Sequence, residues 1–135
     1  MSHFTTIKTR WAEKEPLLQA LRDLGYFPVE GPVEIRGYEE GRRRVEIKIA
    51  SPNPEYDIGF QKKDGCYECV ADWYGLRDFD QTKFVNELTR RYAYHAARSK
   101  LEAQGFTLAA EEVAADGRVH LVLRRIHSGH GTAGN

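Results

Sequence analysis

The sequence predicts an α+β domain in which one short and one long helix cover a curved antiparallel sheet. The sheet is expected to consist of a four-strand meander, an N-terminal strand and a C-terminal hairpin. Two observations predict this class. Between Pro28 and Tyr74, and over residues 106–126, apolar residues recur at every second position, whereas residues 11–26 and 78–106 carry them at helical spacing. The resulting order of strand, helix, four strands, helix and two strands is typical of α+β domains.

The chain opens with a predicted strand and a predicted short helix. Residues 2–10 alternate in character and are rich in β-branched residues, which favours a strand with one covered face. In the next segment, Pro16 suits the first turn of a helix and Gly25 suits the position just after its end. Four leucines at helical spacing form the apolar face of this helix: Leu17, Leu18, Leu21 and Leu24.

Two hairpins are predicted in the middle of the chain. The segment YEEGRR separates the first two strands, and the Asp64-Gly65 dipeptide, a strong hairpin signal, separates the next two. Charged residues alternate with the apolar residues of the first hairpin. Its apolar side chains are therefore expected on one face: Val33, Ile35, Val45, Ile47 and Ile49.

The second helix is the longest predicted element, and Asp80 is a suitable N-cap for it. A hairpin that turns at Asp116-Gly117 follows the helix. Residues 127–135 are rich in glycine and poor in apolar side chains. They are predicted to form a flexible tail to a single domain over residues 1–126.

Composition excludes several classes of protein. Twenty basic residues balance twenty acidic ones, so no overall field draws the chain onto nucleic acid, and a dedicated nucleic-acid binder is not expected. No apolar run approaches the roughly 20 residues that span a bilayer, and no signal-peptide pattern opens the chain. The sequence therefore predicts a cytoplasmic protein without a membrane partner.

Six sequence blocks occur in an order that resembles a known family: MSHFTTIKT, LRDLGY, YDIGF, VADWYG, RYAYH and DGRVHLVLRR. The blocks span residues 1–126 and are similar to the protein encoded in cyanobacterial genomes and some algal plastids as hypothetical chloroplast reading frame thirty-five, a Ycf-type domain of unknown function. The resemblance implies a partner role, because such genes often lie beside one for an AAA-type ATPase or a small ferredoxin. It carries over no catalytic residue, and this chain departs from the family in its arginine content, its paired cysteines and its histidine-bearing tail.

The long helix presents Tyr92 and His95 on its broad apolar face, as neighbours three residues apart. They are either a hydrogen-bonded core pair or a functional pair, with His95 as general base and Tyr92 as donor. Tyr94 points to nearly the opposite side, together with Ala97 and Leu101. Either the C-terminal hairpin or the first helix covers that second stripe, or the stripe is a surface for another chain.

The only cysteines form a C-x-x-C pair, Cys66 and Cys69. Residues three apart on a flat strand face opposite sides, so one ion would reach both thiols only if the chain curled there. A zinc site also needs two further ligands, for which the histidines outside the helix are the candidates: His3, His120, His127 and His130. Cys69 is predicted to be a small buried residue, and no cofactor is expected.

Two sets of candidate site residues follow from these patterns. A pocket between the long helix and the sheet is predicted to be lined by Tyr56, Phe60, Trp73, Tyr92 and His95. A partner surface is predicted at Tyr94, Leu101, Arg42, Arg43 and Arg44. No phosphate loop, nucleophile elbow or metal-binding H-E-x-x-H occurs, which argues against the common enzyme classes.

The sequence therefore predicts an interaction or adaptor domain accessory to an AAA-type ATPase. The alternative is a small-molecule binding protein or enzyme that uses the pocket.

Overall fold

The computed structural model describes residues 3–125 and confirms the α+β class. The described part of the chain contains two α-helices and seven strands. Their bounds are β1 Thr5–Ile7, α1 Lys14–Asp23, β2 Val29–Arg36, β3 Arg42–Ala50, β4 Asp57–Lys63, β5 Cys66–Ala71, α2 Gln81–Ala103, β6 Phe106–Val113 and β7 Val119–Arg125. The predicted flexible tail, residues 127–135, lies outside the described residues.

The main sheet has five strands in the order β1-β5-β4-β3-β2, and every neighbouring pair is antiparallel. The four-strand meander is thus present, and the N-terminal strand joins it at the β5 edge through the pair Thr5 and Ala71. Contrary to the expectation from the sequence, the C-terminal hairpin, β6 with β7, does not join this sheet: it forms a separate two-stranded sheet that contacts α2, because its half-buried side chains pack against that helix. Among the described residues, neither helix is long and apolar enough to cross a membrane.

The two helices pack side by side on one face of the sheet. They run antiparallel, because Asp23 at the end of α1 contacts His95, whereas Glu15 at its start shares a cavity with Glu102. Alternate residues of β3, β4 and β5 meet the apolar faces of the helices. The main core formed in this way includes Trp11, Leu17, Leu18, Leu21, Ile47, Ile49, Ile58, Phe60, Tyr67, Cys69, Phe84, Leu88 and Tyr92.

The opposite face of the sheet has a second, smaller core, because the far half of the β2–β3 hairpin folds across it. The backbone N–H of Arg36 donates to Oδ2 of Asp57 at 2.8 Å, and that of Tyr38 donates to Oδ2 of Asp72 at 3.0 Å. The chain bends where the register shifts between Glu30 and Val33.

The bend corrects one expectation for the first hairpin. Val33, Ile35 and Val45 do not share a face with Ile47 and Ile49, as alternation alone predicted. Ile35 and Val45 are buried with Val70 in the second core, and Val33 packs against them. Close packing there needs a glycine, since a Cβ at Gly59 would lie 2.8 Å from Cγ1 of Val45.

Local signals decide two of the element boundaries. The Asp80 carboxylate accepts a hydrogen bond from the backbone N–H of Lys83 at 2.9 Å, as expected of an N-cap. Asp64 and Gly65 both have positive φ, 54° and 87°, which is the conformation of a tight hairpin turn. The start of α2 and the β4–β5 turn therefore follow directly from short sequence motifs.

Candidate functional site

The Tyr92 hydroxyl is held by the backbone that leads into α1. It accepts hydrogen bonds from the N–H groups of Ala12 and Glu13, both at 2.9 Å. Its ring is buried in the main core, with 9% of the residue exposed. The hydroxyl thus satisfies two N–H groups at the entry to α1, whose N-cap residue Glu13 makes no side-chain cap hydrogen bond, and it joins the start of α1 to the middle of α2.

His95 is bonded to Asp23. Its Nε2 lies 2.6 Å from Oδ2 of Asp23, and the Arg91 guanidinium approaches the same oxygen with Nη2 at 2.7 Å and Nε at 2.9 Å. Partial burial raises the pKa of the Asp23 carboxyl, but hydrogen bonds and charges from His95 and Arg91 outweigh burial and hold that pKa below its ordinary value. Asp23, Arg91 and His95 therefore form an ionic cluster that links the two helices.

A cleft between the helices lies beside this ionic cluster. It encloses about 330 Å³, and its lining is mostly polar: Glu15, Pro16, Gln19, His95, Arg98, Ser99 and Glu102. Within it, the Arg98 guanidinium binds Glu102, one turn further along α2, at 3.2 Å. His95 thus faces the groove between the two helices rather than the layer between helix and sheet.

The five residues predicted to line a helix–sheet pocket lie in different environments. Phe60 is fully buried in the main core, and Tyr56 and Trp73 are half-buried against that core. Tyr92 is held by backbone N–H groups, and His95 by a carboxylate. Only His95 among these five lines the interhelical cleft.

Tyr94 lies beneath the C-terminal hairpin, with 8% of the residue exposed. Its hydroxyl accepts from Nη1 of Arg98 at 3.0 Å and lies 3.4 Å from Oε2 of Glu111 on β6. The Arg91 guanidinium covers the ring, 4.6 Å from its centroid. Leu101, further along the same stripe, is half-buried. The C-terminal hairpin therefore covers the side of α2 that the sequence predicted as a possible partner surface.

The predicted arginine run lies at the start of β3 rather than in the turn. Arg42 and Arg44 are exposed and share one face of the hairpin with Lys48, whereas Arg43 is half-buried and pairs with Ile35. We call Arg42, Arg44 and Lys48 the basic strand surface. It borders a shallow cleft of about 530 Å³ with Pro32, Val33, Glu34 and Arg36.

Two carboxylates limit the charge at this surface: Asp57 binds Arg36, and Glu34 lies directly opposite Arg44 in the hairpin. Arg36 lies directly opposite Arg42 in the hairpin, and its guanidinium binds the buried Asp57 with Nε at 2.9 Å and Nη2 at 3.1 Å. Burial raises the pKa of the Asp57 carboxyl, but the Arg36 side-chain and backbone hydrogen bonds lower it more, so the carboxyl stays ionised. Asp57 neutralises Arg36, and no ion pair between described residues includes Arg42, Arg44 or Lys48.

The two cysteines have different surroundings. Cys69 is fully buried opposite Phe60, and burial raises the pKa of its thiol far above the ordinary range. Cys66 is half-buried at the start of β5. No three histidine, cysteine or acidic side chains within residues 3–125 are grouped so that they could hold a metal ion. His127 and His130, two of the predicted ligand candidates, lie outside the described residues.

Sequence reasoning missed Asp23 as the partner of His95. A local signal exists on α2, where Arg91, His95, Arg98 and Glu102 recur every three or four residues and mark a polar stripe. No comparable signal marks Asp23. Its role depends on the antiparallel packing of α1 and α2, which no short pattern contains.

Comparison with known proteins gives a consistent family assignment. The family described as "Protein of unknown function (DUF1257)" matches residues 20–122. Proteins named "Uncharacterized protein ycf35" are similar over 93% of this chain and 98% of their own length in three organisms. The identity is 32% for Cyanophora paradoxa, 33% for Guillardia theta and 32% for Pyropia yezoensis. No solved structure matches the chain.

Proposed function

The chain belongs to the DUF1257 family, and we propose that it is a protein-interaction domain that binds an acidic, extended segment of a partner protein. The basic strand surface carries this proposal. Arg42, Arg44 and Lys48 lie at the side of an open cleft, and Glu34 is the one acidic residue among the described residues that line it. A partner that supplies carboxylates at alternate positions would complement this charge.

The arrangement of arginines supports a binding role rather than a purely structural one. Arg36 and Arg42 lie directly opposite each other in the antiparallel pair, where like charges are unfavourable, and Asp57 compensates the charge of Arg36. In the described part of the chain Asp57 binds Arg36 and not Arg42, and Arg42 is exposed to solvent. A charge without an ion-pair partner among the described residues, such as that of Arg42, is typical of a site where binding is favoured at some cost in stability.

The edge of the sheet decides how the partner segment binds. β2 is an edge strand, and such strands accept an added strand through their free N–H and C=O groups. On β2, Pro32 and the register shift between Glu30 and Val33 interrupt the row of free backbone N–H and C=O groups. The segment therefore lies across the cleft and is held mainly by arginine and lysine side chains, not by strand addition.

The partner we propose is an AAA-type ATPase, with the chain as its accessory domain in the cytoplasm. A ferredoxin-like protein is the alternative partner. The support for both is the gene neighbourhood of the family that the sequence resembles. The covered Tyr94 stripe favours the basic strand surface over α2 as the place of contact.

A peptide titration tests the proposal. The probe is a fluorescein-labelled peptide of alternating Glu and Thr, and a Lys-Thr peptide of equal length is the charge control. We expect saturable binding of the acidic peptide that weakens with added salt, and binding at least about tenfold weaker for the Arg42→Glu/Arg44→Glu variant.

A charge-matched variant, Arg77→Glu/Arg124→Glu, changes exposed arginines that do not line the cleft. It should bind the acidic peptide as the unmodified protein does. Equal losses in both double variants would mean a diffuse charge effect and would overturn the proposal. Tighter binding of a single-stranded oligonucleotide than of the peptide would replace the proposed protein partner with a nucleic acid.

A further inference from the structure

The C-terminal hairpin packs on α2 through one side. Val119, Leu121 and Leu123 of β7 are half-buried toward the helix, while the residues between them are exposed. An isolated two-stranded sheet is only marginally stable in water, so its contact with α2 supports it. The packing beneath it is incomplete, and this leaves a cavity.

The cavity is open to solvent on one side and has a volume of about 280 Å³ between α2 and the hairpin. Its lining is mainly apolar and consists of Arg90, Ala93, Tyr94, Ala97, Gly117, Arg118, Val119 and Leu121. The space exists because Ala93 and Ala97, one turn apart on α2, fill little of it. Its size is near the lower end of the roughly 300–1,000 Å³ typical of ligand sites. A second cavity of about 210 Å³ adjoins it and shares Arg90, Gly117 and Val119.

Two guanidinium groups border this apolar space. Arg90 lies over the hairpin turn, where a Cβ at Gly117 would be 2.6 Å from its Nη1, and it makes no ion pair with any described residue. Within residues 3–125, Arg118 pairs only with Asp116, two residues away, at 2.8 Å, and their side chains are 82% and 57% exposed. An ion pair this exposed contributes little, so Arg118 remains available to a stronger anionic partner.

The acidic and aromatic side chains nearest to this cavity have other partners or border another cavity, so they do not occupy it. Tyr94 closes the inner end, and its hydroxyl is fixed by Arg98 and Glu111. Glu111 is therefore directed toward the tyrosine. Glu87 borders the adjoining cavity rather than the main one. An apolar floor with two cationic groups at the rim is complementary to a small amphipathic anion.

We propose that the cavity between α2 and the C-terminal hairpin binds a small soluble carboxylate with a short apolar chain. The apolar part lies on Ala93, Ala97, Val119 and Leu121. The carboxylate is held by Arg90 and Arg118 at the rim. This site is separate from the basic strand surface, so either proposal can fail without the other.

Titration of the full chain with sodium octanoate, followed by the NMR signals of the Val119 and Leu121 methyl groups, tests this site. We expect saturable shifts with a dissociation constant on the order of 0.1–1 mM, a range suited to so small a ligand. Octylamine and 1-octanol have the same chain without the negative charge. Each should bind at least about tenfold more weakly, because neither supplies an anion to the arginines.

Two variants separate the apolar and charged parts of the site. Ala97→Leu fills the cavity at an exposed helix position and should abolish the methyl shifts, while Ala103→Leu, outside the cavity, should leave octanoate binding unchanged. Arg90→Gln/Arg118→Gln should remove the preference for octanoate over 1-octanol. The proposal is wrong if Ala97→Leu binds octanoate normally, if octylamine binds equally well, or if octanoate shifts no methyl signal of this cavity.

Discussion

Oδ2 of Asp23, at the end of α1, lies 2.6 Å from Nε2 of His95 in the middle of α2. The same oxygen also accepts from Arg91, so one carboxylate holds two side chains of the longer helix. The contact joins residues 72 positions apart in the chain. Loss of the carboxylate charge should therefore weaken the packing of one helix against the other.

Acid should destabilise the protein partly through Asp23. The pKa of its carboxyl is lower in the folded chain than in the unfolded chain. The contribution of the Asp23 carboxylate to the free energy of unfolding is therefore complete above its unfolded pKa of about 4. It is lost as the pH falls through the lower pKa that the carboxyl has in the folded chain. Asp23→Asn should cost about 0.5–1 kcal/mol at neutral pH, because solvent screens this partly exposed cluster, and should flatten the fall in stability at acid pH.

Urea unfolding at a series of pH values measures this effect. Asp64→Asn is the matched control, because Asp64 lies in an exposed turn and makes no ion pair with any described residue. Its pH dependence should follow that of the unmodified protein. An unchanged acid limb in Asp23→Asn would show that the ionic cluster does not stabilise the fold.

Tyr92→Phe should destabilise the protein by about 1 kcal/mol, since the N–H groups of Ala12 and Glu13 lose their acceptor while the ring stays in the core. Tyr74→Phe removes the same atom from a residue that is 85% exposed, so its stability should change by less than about 0.5 kcal/mol. Thermal unfolding followed by circular dichroism compares the two variants. Equal effects would mean that the Tyr92 hydroxyl has no structural role.

Short motifs predicted the parts of the fold that depend on neighbouring residues. Asp80 and the Asp64-Gly65 turn act through atoms within three positions in the sequence, and both occur where the sequence indicated. The partners of Tyr92 are about 80 positions away, at Ala12 and Glu13. Periodicity placed the Tyr92 ring on the apolar face of α2, but it contains no information about which backbone groups meet the hydroxyl.

The candidate site shows the same limit. The three consecutive arginines are visible in the sequence as its densest basic run, but the folding of the β2–β3 hairpin across the sheet decides that Arg42 and Arg44 face solvent while Ile35 and Val45 enter the second core. The cavity beneath the hairpin depends on where β7 lies over Ala97. Tertiary packing sets the position of β7 over α2, and no short sequence pattern predicts it.

Gly59→Ala should destabilise the fold by about 1–3 kcal/mol, because the added Cβ would lie 2.8 Å and 2.9 Å from the two γ carbons of Val45. A double-mutant cycle in urea checks this contact. Val45→Ala removes both γ carbons, so Gly59→Ala should cost less in that background. Additive losses would contradict the close approach of β3 to β4 in the second core.

The two cysteines should differ in reactivity. In the folded protein, the Cys66 thiolate should attack an aromatic disulfide reagent and displace its thiolate, while Cys69 stays unmodified, since Cys69 is fully buried and its thiol pKa is raised by burial. In denaturant both thiols should react. Mass spectrometry of the labelled peptides distinguishes them, and modification of Cys69 in the native state at the rate of Cys66 would contradict its burial.

Binding of an acidic segment at the basic strand surface is tested most directly by NMR mapping of the residues that the acidic peptide contacts. Backbone amide shifts on addition of the alternating Glu-Thr peptide should be largest at Glu34, Arg42, Arg44 and Lys48, which border one cleft. They should be absent from α2, whose second stripe is covered by the hairpin. Shifts spread evenly over the arginines of the whole chain, or centred on α2, would contradict the proposed binding surface.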